Sequence, residues 1–414
     1  MLIIVALLVT AVIASLSGKD NSAPTIADYL DGSGLPPYNE QLLELIESCF
    51  DACYYTDIEE PETLAAKTVS AYNEFCKSEI DEGDKDAVTL AIIDCYIYAI
   101  GDKYAFYRTE AESNDYTTDM SGSFVGIGIT VSRNEIENTI TVTSVEPNSP
   151  AQRSGMMVDD LIVAVDGSSI DDIGINEIVN KIRGEVGTAV TVTVLRGGER
   201  IQCEAIREKI TETTVFTSYL VDGKVGYIRI TGFKSNTAAQ FISAVREVEA
   251  SGASSVIFDL RGNPGGYLSA VTAMLSYLVP DGTTIASFSN SKQPIYASSG
   301  TELEETDHVL TIPSAVLCNS SSASAAELFC AAMRDYNEMS LLQATLVGTL
   351  TYKKGVMQTT IPFSDKSTLT LTTALYNPPS GTNFNEVGVT PDVTVGEGED
   401  YIEKALDVLS PYTE

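Results

Sequence analysis

Residues 255–278 read SVIFDLRGNPGGYLSAVTAMLSYL, and this stretch decides the architecture. Ser255–Leu260 is a short, mostly apolar run with β-branched and aromatic side chains, the mark of a buried strand. Tyr267–Leu278 has the length and composition of a helix. Between them, Arg261–Gly266 holds a proline and several glycines, which is turn chemistry. A strand feeding a helix through a glycine-rich turn is the repeating unit of a parallel α/β sheet. In such sheets, sites gather where strands end and helices begin.

The same alternation continues on both sides. Lys224–Ile230 and Ser314–Cys318 read as strands, and Thr237–Ala250 and Ala323–Met333 as helices. Residues 208–414 are therefore expected to form an α/β core. Residues 121–207 change character. Phe124–Val131 is glycine-rich and alternating, Thr139–Val145 is β-branched, and Leu161–Val165 ends in the Asp166–Gly167 turn, a strong hairpin signal. With short helices at Ser149–Met156 and Asn176–Arg183 and a strand at Ala189–Leu195, this predicts one compact domain.

Residues 39–120 show helical periodicity: Leu42, Leu43, Ile46 and Phe50 recur at three- and four-residue spacing, and Ala87–Ile100 is a second apolar helix. This region is expected to be a small helical element without a site. Lys19–Tyr38 is polar, contains Pro24, Pro36 and Pro37, and reads as a linker. Met1–Ser17 is uncharged, with an apolar core the length of a signal-peptide h-region. Residues 1–18 are accordingly expected to be a signal peptide or membrane anchor. That predicts an extracytoplasmic protein, secreted or tethered by this segment.

Composition narrows the function classes. With 25 Lys+Arg against 58 Asp+Glu, the formal net charge is −33. Such a surface repels a phosphate backbone, which argues against nucleic-acid binding. The one histidine, His308, excludes HExxH and multi-histidine metal centres, and no cofactor is implied. The seven cysteines contain no CxxC pair. They read as small buried residues, although export would permit disulfides among Cys49, Cys53, Cys76 and Cys95.

Three segments at strand ends can carry chemistry. Asp259–Gly266, DLRGNPGG, offers backbone N–H groups unshielded by a Cβ at Gly265 and Gly266. Asn319–Glu327, NSSSASAAE, puts serines between a strand and the positive end of a helix. Ser324 and Glu327 there also form a capping-box pattern. Lys353–Gln358, KKGVMQ, precedes the alternating strand Thr359–Phe363. A lysine acts as a general base once desolvation lowers its pKa. Any His-based nucleophile pair would have to use His308, and Ser–Lys is a known alternative for activating a serine. Lys354 would take the proton of Ser324, Gln358 would orient the amine, and the N–H groups of Gly265 and Ala325 would hold the oxyanion.

These residues, in this order, resemble the carboxyl-terminal processing (tail-specific) proteases over roughly Ala87–Leu409. The likeness extends to FVGIGI, SVEPNSPAQRSGMMVDDLIVAVDG and the late NEVGVTPD segment. The resemblance implies a crotonase/ClpP-like α/β protease core with an inserted PDZ domain, a serine endopeptidase with a Ser324–Lys354 dyad supported by Gln358. It also implies that the loop of Phe124, Val125, Gly126, Ile127, Gly128 and Ile129 faces the free C-terminal tail of a protein or peptide substrate, bound by strand addition. The chain departs from the family pattern at Ser321, Ala326 and Thr349, and Lys353 adds a charge beside the expected base. The alternative is a catalytically impaired PDZ scaffold that binds peptides. A trypsin-like enzyme is excluded by chain order. A homo-oligomer is compatible with the sequence.

Overall fold

The computed structural model describes residues 24–134, 138–170, 173–297 and 308–413. The expected signal peptide or anchor at 1–18 lies outside them. Among the described residues no helix is long and apolar enough to cross a membrane.

A six-stranded sheet forms the centre of the core. Its order is Val215–Leu220, Val225–Ile230, Ser255–Asp259, Ser314–Cys318, Ala344–Gly348 and Val393–Thr394. The first pair is antiparallel and the rest are parallel. Side chains along Ser255–Asp259 alternate between two apolar layers, as strand geometry requires. Val256 and Phe258 pack with the helices Thr237–Ala250, Leu268–Leu278 and Ala325–Glu338, while Ile257 packs with the helix Tyr401–Leu409. Coverage on both faces explains why every residue of this strand is buried.

A second, antiparallel sheet lies beside the first. Thr368–Asn377 pairs with Phe106–Arg108, Val356–Pro362 and Thr284–Phe288, and the last of these pairs with Ser291–Tyr296. The ten-residue Thr368–Asn377 strand goes unrecognised in the sequence reading, although its alternating Leu and Thr residues are a strand signal. Ile361, Leu369 and Leu371 of this sheet share one apolar cluster with the N-terminal helices. The helical region is therefore packed onto the core. The linker expectation is corrected in part as well: Ile26–Leu30 is helical, and Ile26 and Leu30 enter the same cluster.

Residues 129–206 form a separate sheet in the order Ile129–Asn134, Thr139–Val145, Leu161–Val165, Ala189–Arg196 and Glu199–Ile206, flanked by the helices Pro150–Arg153 and Ile175–Ile182. The chain enters and leaves this unit through a two-stranded ribbon, Ser123–Gly126 paired with Glu208–Thr211. Asn236 ties the ribbon's foot to the core, donating to the carbonyls of Gly122 and Glu212 at 2.9 and 2.8 Å.

Candidate active site

Two of the three expected segments meet at Ser324. The strand Ser314–Cys318 ends, and after Asn319–Ala323 the helix Ala325–Glu338 begins with Ser324 at its cap. Ser324 has φ 56° and ψ −116°. A non-glycine residue there costs about 1–3 kcal/mol, and such strain concentrates at functional sites. The turn is held on both sides. Ser324 N–H donates to Glu327 Oε2 at 2.9 Å, realising the Glu half of the expected capping box. Ala323 N–H donates to Asn263 O at 2.9 Å. Ser322, by contrast, is fully buried and donates to Leu260 O at 2.8 Å, a structural role.

The DLRGNPGG turn lies against this junction. A Cβ on Gly265 would stand 2.7 Å from Ala323 O and 2.8 Å from Ser324 Cβ, so only glycine fits. Its N–H does not face an open site, which corrects the expected oxyanion role: Gly265 N–H donates to Asn263 Oδ1 at 2.8 Å. Asn263 is itself fully buried and anchored by donating to Ile230 O at 2.9 Å. The Ala325 N–H and the Gly266 N–H have no acceptor among the described residues.

The third segment reaches the site through Glu327. This buried carboxylate accepts from Thr351 Oγ1 at 2.5 Å, Lys353 N–H at 2.7 Å and Lys354 N–H at 2.8 Å, besides Ser324 N–H. The Tyr376 hydroxyl, from the second sheet, donates to Lys354 O at 3.1 Å and lies 3.4 Å from Ser324 Oγ, within reach of the serine proton. Burial pushes the pKa of Tyr376 well up, so it stays a neutral phenol.

The Lys354 amine is mostly withdrawn from water. That desolvation lowers its pKa, while the carboxylates of Asp102 and Glu327 oppose the shift. Among the described residues no hydrogen bond joins its Nζ to Ser324 Oγ; instead Nζ lies 4.4 Å from the centre of the Tyr104 ring. Gln358 does not reach the amine either. Its Nε2 donates to Val356 O at 3.4 Å, and a register shift between Met357 and Gln358 interrupts the strand there.

Residues 224–395 match peptidase family S41, and residues 141–196 match a PDZ domain. Over residues 224–395 the core is similar to peptidase family S41. The chain is 35% identical over 314 residues to a Staphylococcus aureus (strain N315) protein named "Probable CtpA-like serine protease", and 34% over 309 residues to the Staphylococcus saprophyticus protein of the same name. These matches take in 75% and 74% of this chain and span 61% and 60% of the relatives' lengths. Among solved structures, a Bacteroides fragilis protein assigned to the S41 proteases shares the fold at TM-score 0.50 and 17% identity, covering 87% of this chain and 99% of that one.

The chain around the PDZ match differs from the loop expected over Phe124–Ile129. Phe124, Val125 and Gly126 belong to the ribbon strand, and Ile129 opens the edge strand of the PDZ sheet. Phe124 is held by the Arg183 guanidinium, 5.7 Å from its ring centre. Only Ile127 and Gly128 form the turn, and neither N–H has an acceptor among the described residues. Gly128 has φ +81°, and a Cβ there would stand 2.4 Å from Ser149 Cβ.

Three residues escaped the sequence reading: Asp102 and Tyr104, from a region expected to carry no site, and Tyr376. The first two lie about 250 residues from Lys354 in the chain, and no local pattern marks them. Tyr376 lies on the unrecognised strand. All seven cysteines are free thiols, six of them buried.

Proposed function

We propose that this chain is a serine endopeptidase acting on protein or peptide substrates whose free C-terminal tails bind the PDZ domain. The observation that carries the proposal is the sharing of Glu327 between the backbone of Ser324 and that of Lys354. One buried carboxylate thereby keeps a strained serine at a helix N-terminus beside a desolvated lysine.

The neutral Lys354 amine accepts the Ser324 hydroxyl proton as Oγ attacks a peptide carbonyl. The oxyanion is held by the Ala325 N–H and, in place of Gly265, by the Gly266 N–H, with the helix dipole favouring the charge. Collapse breaks the C–N bond. The leaving amine takes the proton from the Lys354 ammonium, leaving an ester on Ser324. Water then gives a proton to Lys354, attacks the ester and releases the carboxylate product as Ser324 is reprotonated. Gln358 supports the amine after the side chain swings toward the serine.

A substrate tail adds as a strand beside Ile129–Asn134, with its carboxylate at the N–H groups of Ile127 and Gly128. The uncharged N-terminal segment supports an extracytoplasmic setting. Incubating the purified chain with unfolded polypeptides ending in apolar residues should yield cleavage that Ser324→Ala abolishes. Wild-type turnover by Ser324→Ala sinks the assignment.

A further inference from the structure

The Lys354 ammonium has an aromatic neighbour and no hydrogen-bond acceptor among the described residues. Its Nζ lies 4.4 Å from the Tyr104 ring centre. A cation on the face of an aromatic ring is attracted by the ring's quadrupole, more strongly where water is excluded. Only the protonated amine gains this attraction. The contact therefore favours the charged form, the one that cannot act as a base.

Tyr104 is fixed in place by two structural units. The apolar helix Lys85–Ile100, buried in the N-terminal cluster, ends at Gly101 with φ +84° and delivers the loop that carries the ring. Asp102, which is buried, accepts from Tyr104 N–H at 3.1 Å, and from Thr372 N–H and Oγ1 at 2.8 and 2.9 Å. Thr372 lies on the same strand as Tyr376, which touches both Ser324 and Lys354. The ring is thus bolted to the sheet that borders the site, by a helical unit otherwise remote from it.

The other groups near the amine are few. Asp102 and Glu327 face it with carboxylates. Tyr376 contributes a phenol from the second sheet, and Lys103 and Tyr352 flank Tyr104 itself. The neighbouring Lys353 runs its stem toward Gly388.

We propose that Tyr104 is a positioning residue whose ring seats the protonated Lys354 off Ser324, so that the N-terminal helical unit sets the pH at which the lysine is released for use. The kinetic half of this rests on Lys354 being the general base; the seat itself does not.

The test uses the full chain carrying Ser324→Ala, labelled with 13C-lysine, with the Lys354 signal assigned by its loss in Lys354→Arg. Tyr104→Leu should lower the Lys354 titration midpoint by about 0.5–1 pH unit. Tyr104→Phe, which keeps the ring, should restore the wild-type midpoint. Tyr104→Met gives a second non-aromatic filling should leucine disturb folding. An unchanged midpoint in a folded Tyr104→Leu or Tyr104→Met protein overturns the proposal. In chains that retain Ser324, the acid limb of kcat/KM should move with the midpoint. A purely structural role for Tyr104 would lower kcat at every pH and leave the limb in place. If the midpoint moves and the limb does not, the seat stands and the assignment of Lys354 as base fails.

Discussion

Lys354 N–H donates to Glu327 Oε2 at 2.8 Å, and the same oxygen accepts Ser324 N–H at 2.9 Å. The two segments proposed to supply nucleophile and base are therefore spaced by one side chain. Their backbones are held to each other independently of what the lysine amine touches. That amine sits on Tyr104 while the Lys354 main chain is held by Glu327.

Glu327→Gln should damage both fold and site. An amide has one acceptor oxygen and presents an NH2 group where the carboxylate accepted, so at least one of the four donors loses its partner. Each donor left buried without an acceptor costs about 1–3 kcal/mol. Urea titration should show a lower midpoint at unchanged slope, and turnover should fall even under conditions where the variant is fully folded.

Gly265→Ala tests the close approach at the junction. The new methyl meets Ala323 O and Ser324 Cβ inside contact distance, at a backbone φ of +98°. Stability should drop by about 1–3 kcal/mol from the strained backbone alone. Displacing the Ala325 N–H should reduce kcat by about 10²-fold or more. Gly262→Ala is the control. It also has positive φ, but no atom stands within 4 Å of the added Cβ. Its kcat should therefore stay near wild type.

The burial of Lys354 gives a signed pH dependence. Its folded-state pKa is below the ordinary 10.5, so between the two values the unfolded chain binds more protons and stability rises with pH. Below the folded pKa the desolvation penalty is present in full; above 10.5 it is gone. Lys354→Met should thus be more stable than the wild type at pH 7. The two denaturation midpoints should converge as pH rises toward 10.5. A gap that stays constant across that range contradicts the desolvated-amine account. The acid limb of kcat/KM should likewise fall below 10.5.

Binding to the PDZ domain should depend on a charged tail end. With Ser324→Ala protein and a fluorescent apolar-ended peptide, amidating the C-terminus should weaken binding at least about tenfold, the worth of one charge-assisted hydrogen bond. Equal anisotropy titrations for acid and amide would remove the Ile127–Gly128 turn as the carboxylate site.

Much of this protein is written locally. The strand Ser255–Asp259, the helix Thr237–Ala250 and the turn at Asp166–Gly167 follow from apolar periodicity and turn chemistry, which neighbouring residues set among themselves. The order of DLRGNPGG, SASAAE and KKGVMQ carried the resemblance to the carboxyl-terminal processing proteases. Tertiary structure alone decided where groups point and what reaches them from afar. Asn263 turns the Gly265 N–H away from the site, a bulge sends Gln358 toward Val356, and a helix some 250 residues upstream brings Asp102 and Tyr104 to Lys354. Such arrangements arise when distant segments share one core and competing hydrogen-bond partners are chosen in three dimensions. A side chain's residue type is local information; its partner is a property of the packed whole.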